Sequence, residues 1–308
     1  MPALLAFSFL FAGMERLAGM YVVLGAGGHV GAAVANTLLA LGHSVTVVTR
    51  SAAKAAAWQH KNAAAAVLDI HNTQALKTVF KHAKRAFLLN PPAAVGGNTD
   101  VLERQSVHAI LSALRGVALE KIVVQSTYGA QAGAHCADLG VLYEFEQGAQ
   151  QLGIPLCCVR AAYYMSNWCA AVPQVLANGV LSSVLPAAGP VAMVAPHDVG
   201  QFAAHLLAAP VEQVGTYFIE GPKRYTPAEV AHNMEQVLGR SVQVNEVPPE
   251  AWLSYYRSHG FSEQAAHSYA HMTEIFVTNR YAQPDAPHKG ATSLMHYMRA
   301  ALPPLVAG

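Results

Sequence analysis

Glycine residues at three-residue intervals follow a short apolar run, residues 21–24. The loop has the sequence Gly25-Ala26-Gly27-Gly28-His29-Val30-Gly31, and an alanine-rich helical pattern and a second apolar run, residues 44–50, come after it. Strand, glycine turn, helix and strand in this order are typical of a fold that binds a dinucleotide. The alternative is an ordinary strand-to-helix turn in which the glycines only help the helix to pack.

Each glycine has a separate expected role in binding a pyrophosphate. Gly25 allows the tight turn, Gly28 lets the backbone approach the phosphates with no Cβ in between, and Gly31 lets the helix pack closely on the strand. The phosphates would lie over the first helical turn, at His29 and Val30, where unpaired N–H groups and the helix dipole favour negative charge. We therefore expect the loop to bind phosphate.

The end of the second strand distinguishes between two cofactors. Proteins that bind NAD(H) through this fold usually carry Asp or Glu about 20 residues after the glycine loop, where it binds the ribose 2′-hydroxyl. This chain has Thr49 and Arg50 at that place. A cation without a carboxylate suits a 2′-phosphate, so the sequence predicts NADP(H) rather than NAD(H). The alternative for Arg50 is a solvated residue at a strand end.

Short apolar runs alternate with helical patterns as far as residue 160. The predicted strands cover residues 64–68, 85–89, 121–125 and 156–159, and the predicted helices between them cover residues 73–81, 99–114 and 142–152. This alternation predicts an α/β fold: a Rossmann-type doubly wound parallel sheet with right-handed crossovers.

Residues that follow the strands are candidates for binding, because ligands of such sheets lie beyond the carboxyl ends of the strands. Asp69 follows the third strand, where such folds usually meet the adenine. Asn90 and Pro91 follow the fourth strand, and Ser126 follows the fifth. We expect these four residues to complete the cofactor site.

The chain is expected to have three parts. Residues 1–19 are an N-terminal extension, either a mis-assigned start or a loosely attached segment, with a weak membrane or partner anchor as the alternative. Residues 20–172 are the NADP-binding domain. Residues 173–308 are mainly a small α+β lobe that covers the substrate and is interleaved with the last elements of the sheet.

Composition argues against several classes of function. With 308 residues, 53% hydrophobic and 12% charged, the chain buries a sizeable core, and its net charge of +1 offers nothing to attract nucleic acid. The four cysteines lack metal-ligand spacing and the fifteen histidines are scattered, so no metal site is expected. No apolar run is long enough to span a membrane, and we expect a cytoplasmic protein.

Several fragments together resemble the NmrA-like family of the atypical short-chain dehydrogenase/reductase superfamily. They are the glycine loop and residues 88–92, 123–126, 146–155, 159–168 and 196–200, of which the segment from Arg160 to Asn167 is the most specific. The resemblance implies an NADP-binding Rossmann domain with a small C-terminal lobe. Members of this family are either NADPH-dependent reductases of quinones and related acceptors, or regulators that bind the cofactor without turning it over.

The usual catalytic pair of the superfamily is missing. That pair is Tyr-x-x-x-Lys, in which the lysine lowers the pKa of the tyrosine for proton transfer to a carbonyl. None of the twelve tyrosines is followed four residues later by lysine, and Tyr143, in the corresponding helix, has Gln147 at that place. We therefore do not expect carbonyl or alcohol redox chemistry by the usual route.

Two functions remain open. The first is an NADPH-dependent reductase of a quinone-like or other conjugated acceptor, which spreads the incoming charge and so needs positioning more than a pKa-shifted acid. The candidates to line its pocket are Tyr128, Tyr143, Tyr164, Asn167 and Trp168. The second is a non-catalytic NADP(H) sensor that acts through a protein partner. For each candidate residue, a structural role in the core or at a helix end is the alternative. The acceptor's identity and the oligomeric state are left open.

Overall fold

A parallel sheet of eight strands forms the centre of the molecule, which the computed structural model describes from residue 20 to residue 302. Its strands are β1 (Met20–Val23), β2 (Val45–Thr49), β3 (Ala64–Val67), β4 (Ala83–Leu88), β5 (Lys121–Thr127), β6 (Leu156–Ala161), β10 (Gly215–Glu220) and β13 (His288–Lys289). They lie in the order β13-β10-β6-β5-β4-β1-β2-β3, and each neighbouring pair is parallel.

Helices connect these strands and cover the sheet. In chain order they are α1 (His29–Ala40), α2 (Ala52–Gln59), α3 (Thr73–Lys81), α4 (Thr99–Leu114), α5 (Asp138–Gln150), α6 (Val172–Asn178), α7 (Pro196–Ala208), α8 (Pro227–Leu238), α9 (Trp252–Ser258), α10 (Glu263–Val277) and α11 (Leu294–Ala301). The predicted Rossmann-type α/β fold is confirmed by this sheet order and these crossovers.

The two faces of the sheet are both buried, which explains why its strands are continuous apolar runs. On one face, Leu88 and Val124 pack against α3, α4 and α5. On the other face, Val23 and Val123 pack against α1 and α7. Because successive residues of a strand point to opposite faces, every residue at a strand end can be assigned to one of these faces by its register.

The residues after 162 also form a smaller lobe with its own core. Strand β9 (Val191–Val194) pairs with β7 (Tyr163–Tyr164) in parallel and with β11 (Arg224–Tyr225) antiparallel, and β8 (Val180–Ser183) pairs with β12 (Gln243–Glu246). Buried residues of these strands pack with residues of α8 and α11 in a hydrophobic cluster separate from the clusters on the large sheet.

The last strand of the large sheet comes from a strap near the end of the chain, residues 288–292. The Gly290 N–H donates to the Glu220 carbonyl (2.7 Å), and the Lys289 ammonium binds the Glu220 carboxylate. The Asp198 carboxylate accepts from the backbone N–H (2.9 Å) and the hydroxyl (2.7 Å) of Thr292. The strap therefore joins the C-terminal segment to β10 and α7.

Some element bounds differ from those predicted. Helix α5 begins at Asp138 rather than at residue 142, because Gly140, which interrupts the helical pattern, lets the Gly133 carbonyl pack against the first turn: a Cβ there would lie 2.6 Å from that oxygen. Helix α2 and the short strands β8, β9, β11 and β13 were not predicted from the sequence.

The expectation for residues 1–19 lies outside the described residues, as does the end of the predicted C-terminal lobe, residues 303–308. Between residues 20 and 302, no helix is both long enough and apolar enough to cross a bilayer.

Gly200 of α7 provides a test of how closely the helices on one face of the sheet must pack. A Cβ at Gly200 would lie 2.4 Å from the Ala33 Cβ and 2.6 Å from the Val30 carbonyl oxygen, both in α1. Gly200→Ala should therefore lower the free energy of unfolding by about 1–3 kcal/mol, measured by urea denaturation. The control is Gly96→Ala, because a Cβ at Gly96 would meet no atom closer than 3.8 Å. Equal stability of the two variants would contradict this packing.

Candidate functional site

The glycine loop has the geometry that phosphate binding requires. Gly25 has φ +72°, a conformation that favours glycine. A Cβ at Gly31 would lie 2.4 Å from the Gly25 carbonyl carbon and oxygen, so this glycine is required for packing. A Cβ at Gly28 would meet only the Gly25 oxygen, at 3.6 Å. Of these three glycines, Gly28 is therefore the one with open space where a side chain would be.

The first turn of α1 retains the electropositive character of a helix N-terminus. Gly28 is the N-cap residue, and within the described structure no side chain caps the helix and no acidic residue lies in its first turn. The N–H groups of His29 and Val30 therefore lie at the positive end of the helix dipole, next to the open space at Gly28. An anion fits these groups.

Two cations lie beside the loop, at the start of α2. Arg50 is exposed at the end of β2, and the exposed Lys54 donates from Nζ to the Gly27 carbonyl (3.1 Å). Ser51 caps α2 by accepting from the Lys54 N–H (3.3 Å), which fixes the helix start between the two cations. Lys54 was missed in the sequence analysis; its position four residues after Arg50, in the first turn of a helix, was the available signal.

Asp69 lies at the end of β3, near Arg50. Its Oδ1 accepts from the backbone N–H of His71 at 2.9 Å and also binds the His71 ring at 2.9 Å. These hydrogen bonds, with a smaller contribution from the Arg50 charge, hold the pKa of Asp69 below its usual value. Asp69 is therefore a fixed, ionised hydrogen-bond acceptor on the rim of this part of the sheet.

Two predicted cofactor residues carry buried polar atoms that no described residue satisfies. They are the Asn90 Oδ1, after β4 and next to Pro91, and the Ser126 Oγ, in β5. Ser126 is 1% exposed and lies two residues after Val124, so it points to the sheet face that α4 and α5 cover. Buried polar groups are nearly always hydrogen-bonded, so these atoms indicate where a ligand would bind.

Tyr128 does not line an open pocket, in contrast to its predicted role. It is 2% exposed, and its hydroxyl donates to the buried Glu220 carboxylate (3.3 Å). Its ring meets Phe218 edge-on, with 5.4 Å between centroids. Burial, then the Glu220 charge, raises the pKa of Tyr128 far above its usual value, so the hydroxyl keeps its proton. The structure places Tyr128 in the core, and the sequence contains no sign of its pairing with Glu220.

The other pocket candidates divide into two groups. Tyr164, Asn167 and Trp168 lie together, in β7 and in the 3-10 helix Met165–Ala171 that follows it. Trp168 is 5% exposed, and its buried Nε1 has no partner among the described residues. Tyr143 lies instead in a surface groove between α4 and α5, whose lining also includes His108. The structure therefore brings three of the five candidates together and places Tyr143 apart from them.

A pair of carboxyl groups was not predicted as part of the site. Glu103 of α4 is 3% exposed, and its Oε1 accepts from the Ala93 N–H (3.0 Å) in the loop after Asn90 and Pro91. Asp138, the half-buried first residue of α5, shares a hydrogen bond with the Glu103 carboxyl group. Burial, then the Asp138 charge, raises the pKa of Glu103 to about 8, and burial also raises the pKa of Asp138. The pair therefore holds a proton at neutral pH.

Further charged and polar groups surround this pair. Both carboxylate oxygens of Asp100, which is 4% exposed, lack a hydrogen bond from any described residue, and the Arg104 Nη1 lies 3.7 Å from one of them. Arg104 is itself held by two hydrogen bonds to Glu144 (2.9 and 3.0 Å). Among residues 20–302, no group of three or more His, Cys, Asp or Glu side chains is placed to hold a metal ion.

Solved structures show where this fold has been seen before. The chain matches the Citrobacter sp. triphenylmethane reductase complexed with NADP(H) with a TM-score of 0.76 and 18% identity, over 92% of this chain and 100% of that one. It matches the NADPH-dependent quinone oxidoreductase of Escherichia coli complexed with NADPH with a TM-score of 0.74 and 17% identity, over 92% and 99%. It also matches Nmra, a negative transcriptional regulator, with a TM-score of 0.65 and 16% identity, over 92% and 95%.

Sequence comparisons add one relative and a family. The relative is the (4-alkanoyl-5-oxo-2,5-dihydrofuran-3-yl)methyl phosphate reductase of Streptomyces griseus, 32% identical over 108 residues, which are 35% of this chain and 38% of that protein. The matched region is thus little more than a third of either protein. The family model covers nearly the whole chain, residues 19–298. This protein belongs to the NmrA-like family.

Proposed function

We propose that this chain binds NADP(H) across the glycine loop, with the pyrophosphate over the first turn of α1 and the 2′-phosphate between Arg50 and Lys54. The observation that carries the proposal is the open space at Gly28, beside an uncapped helix N-terminus and two exposed cations. Asp69 would accept a hydrogen bond from the adenine, and Asn90, Pro91 and Ser126 would lie along the rest of the cofactor. The solved structures in complex with NADP(H) or NADPH support this placement.

We further propose that the protein is a reductase of quinone-like or other conjugated acceptors. Bound NADPH would supply a hydride. Tyr164, Asn167 and Trp168 would hold the acceptor, since aromatic rings pack against a planar ring and an amide binds an oxygen. The Tyr128–Glu220 pair would form a rigid wall behind them. Neighbouring structures of triphenylmethane and quinone reductases support this function over that of the usual carbonyl dehydrogenases.

A regulator is the second candidate function. The observations that favour it are the missing Tyr-x-x-x-Lys pair and the likeness to the regulator Nmra. In this case NADP(H) binding would alter the affinity for a protein partner, and no acceptor would be reduced. The two functions differ in turnover, while both require the cofactor site.

Charge reversal at Arg50 tests the choice of cofactor. Arg50→Asp should weaken NADPH binding at least tenfold more than NADH binding, because it removes one partner of the 2′-phosphate and adds a repulsive charge there. Lys54→Ala should act in the same direction with a smaller effect. Calorimetric titration with both nucleotides measures this, with Lys61→Ala, on the same stretch of surface, as the control. Equal losses for NADPH and NADH would contradict the assignment.

Substitution of Gly28 separates cofactor binding from folding. Gly28→Val should lower the free energy of unfolding by no more than about 1 kcal/mol, the cost of an apolar residue at an N-cap, because the backbone there (φ −109°, ψ 178°) suits any residue and the space around it is open. The same change should weaken NADPH binding by at least tenfold, because the side chain would occupy the position of the pyrophosphate. Denaturation and calorimetry on one sample test both statements. Unchanged affinity for NADPH would place the phosphates elsewhere.

Turnover decides between the reductase and the regulator. NADPH oxidation should be followed by its absorbance with a panel of small quinones and a triarylmethane dye, after NADPH binding has been established by calorimetry. We expect tight binding with turnover of at least one acceptor. Tight binding without turnover on any acceptor would replace the reductase with the regulator.

A further inference from the structure

The protonated carboxyl pair lies at the same corner of the molecule as the unsatisfied strand-end groups. In this parallel sheet, α4 and α5 each follow a strand and therefore begin at its carboxyl edge. Glu103 lies near the start of α4, and Asp138 is the first residue of α5. Ser126, at the carboxyl end of β5, points to the face that these two helices cover. Its buried Oγ, which has no partner among residues 20–302, is an independent sign that a ligand group binds at this corner.

The local backbone fixes the position of Asp138. Ala137, directly before it, has φ +45°, and His135 has φ +53°, both in a region that L-residues rarely adopt. The Ala137 side chain is buried, and the His271 ring lies 3.0 Å from the His135 carbonyl oxygen, so neighbouring elements hold this unusual turn in place. Strained backbone of this kind is typical of functional sites, where it holds one side chain in one direction.

The two residues of the pair differ in burial. Glu103 is 3% exposed and is held by the Ala93 N–H, whereas Asp138 is half-buried. The titratable and charged groups around the pair are Asp100 and Arg104 of α4, Tyr164 of β7, Tyr269 of α10, and Cys136 before α5. Arg104, the one cation of this set, is bound to Glu144. A proton shared between the two carboxyl groups therefore relieves their repulsion.

We propose that Asp138 is the catalytic acid of this protein: it gives the proton that it shares with Glu103 to an oxygen of the reduced acceptor, which is hydrogen-bonded to Ser126. Glu103 is then a positioning residue, which stores the proton and orients Asp138. The inference rests on the proposed reductase function and names its substrate class: an acceptor, such as a quinone, whose reduced form is an oxyanion. An acid on α5 would also explain how the chain functions without Tyr-x-x-x-Lys.

The reaction balances in protons and electrons. NADPH loses a hydride, two electrons and one proton, to the quinone and becomes NADP⁺, and the quinone becomes the hydroquinone monoanion. The Asp138 carboxyl O–H bond breaks, and its proton forms an O–H bond on that anion. The carboxyl pair is left with both groups ionised, and it takes a proton back from water after the reduced acceptor leaves.

The first test compares two acceptors. Asp138→Asn should lower kcat for a quinone at least 100-fold and leave the dissociation constant for NADPH within twofold, because an amide has no acidic proton to give. A cationic triarylmethane dye becomes neutral when it accepts a hydride and needs no proton, so its reduction should change less than threefold. Glu250→Gln, at an exposed carboxylate of the smaller lobe, is the control and should behave as wild type. Quinone turnover by Asp138→Asn at the wild-type rate, or equal losses with both acceptors, would overturn the proposal.

The second test is the pH profile of quinone reduction. The pair must be protonated to act, so kcat should be constant below about pH 8, where the pKa of Glu103 lies, and fall up to tenfold per pH unit above it. Glu103→Gln should move this decline to lower pH, because Asp138 then no longer shares a proton with a second carboxyl group. If kcat falls above the same pH in Glu103→Gln as in the wild type, the role of Glu103 is overturned. If the dye is not a substrate, this pH profile alone tests the proposal. Absence of turnover in the wild type would instead defeat the proposed reductase function itself.

A third measurement needs no turnover. The pKa of the Glu103 carboxyl group is near 4.5 in the unfolded chain and about 8 in the folded protein. The folded protein therefore becomes less stable as the pH rises from 4.5 to 8, because the buried group must lose its proton. Glu103→Gln should therefore raise the melting temperature by a few degrees at pH 8.5 and leave it nearly unchanged at pH 4.5. A lower melting temperature for Glu103→Gln at pH 8.5 would show that the pair does not hold a proton and would overturn the proposal.

Discussion

Parallel strand pairing is the constraint on which the rest of this structure depends. Strands that all run in one direction must be joined by connections that cross back over a face of the sheet, so both faces are buried and the strands become apolar along their length. The same constraint brings every carboxyl end to one edge. Residues as far apart in sequence as Gly28, after β1, and Ser126, in β5, therefore lie along that edge.

Sequence patterns were sufficient for the features that depend on local chemistry. The alternation of strands and helices as far as β6, apart from α2, follows from apolar runs and caps, and the separate roles of Gly25 and Gly31 follow from the backbone geometry of a tight turn. The patterns failed where one distant partner decides a residue's role. Tyr128 resembles a pocket residue until Glu220, ninety-two positions later, accepts its hydrogen bond. Glu103 and Asp138 look like solvated helix residues, because their burial depends on how α4 and α5 pack side by side.

Buried polar groups in this protein fall into two kinds. Some are fully paired: Arg160 makes two hydrogen bonds to Glu146, at 2.6 and 2.9 Å, which join β6 to α5. Others, at Asn90, Asp100 and Ser126, have atoms that no described residue satisfies. The first kind fixes the elements relative to one another and costs little once formed, since each charge has its partner. The second kind lies at the carboxyl edge, where the energetic cost of an unsatisfied group is offset only when a ligand supplies the missing bond.

The strap at residues 288–292 has a consequence for the order in which the chain folds. Ribosomes release the chain from its N-terminus, and β10 leaves about seventy residues before β13, which pairs with it. During that interval β10 is the outer strand of the sheet, with one row of backbone N–H and carbonyl groups unpaired. A nascent chain in this condition presents an edge to which other chains can add. Completion of the sheet is therefore a late event in folding, and the segment that contains Lys289 covers the end of this edge, at Ile219 and Glu220.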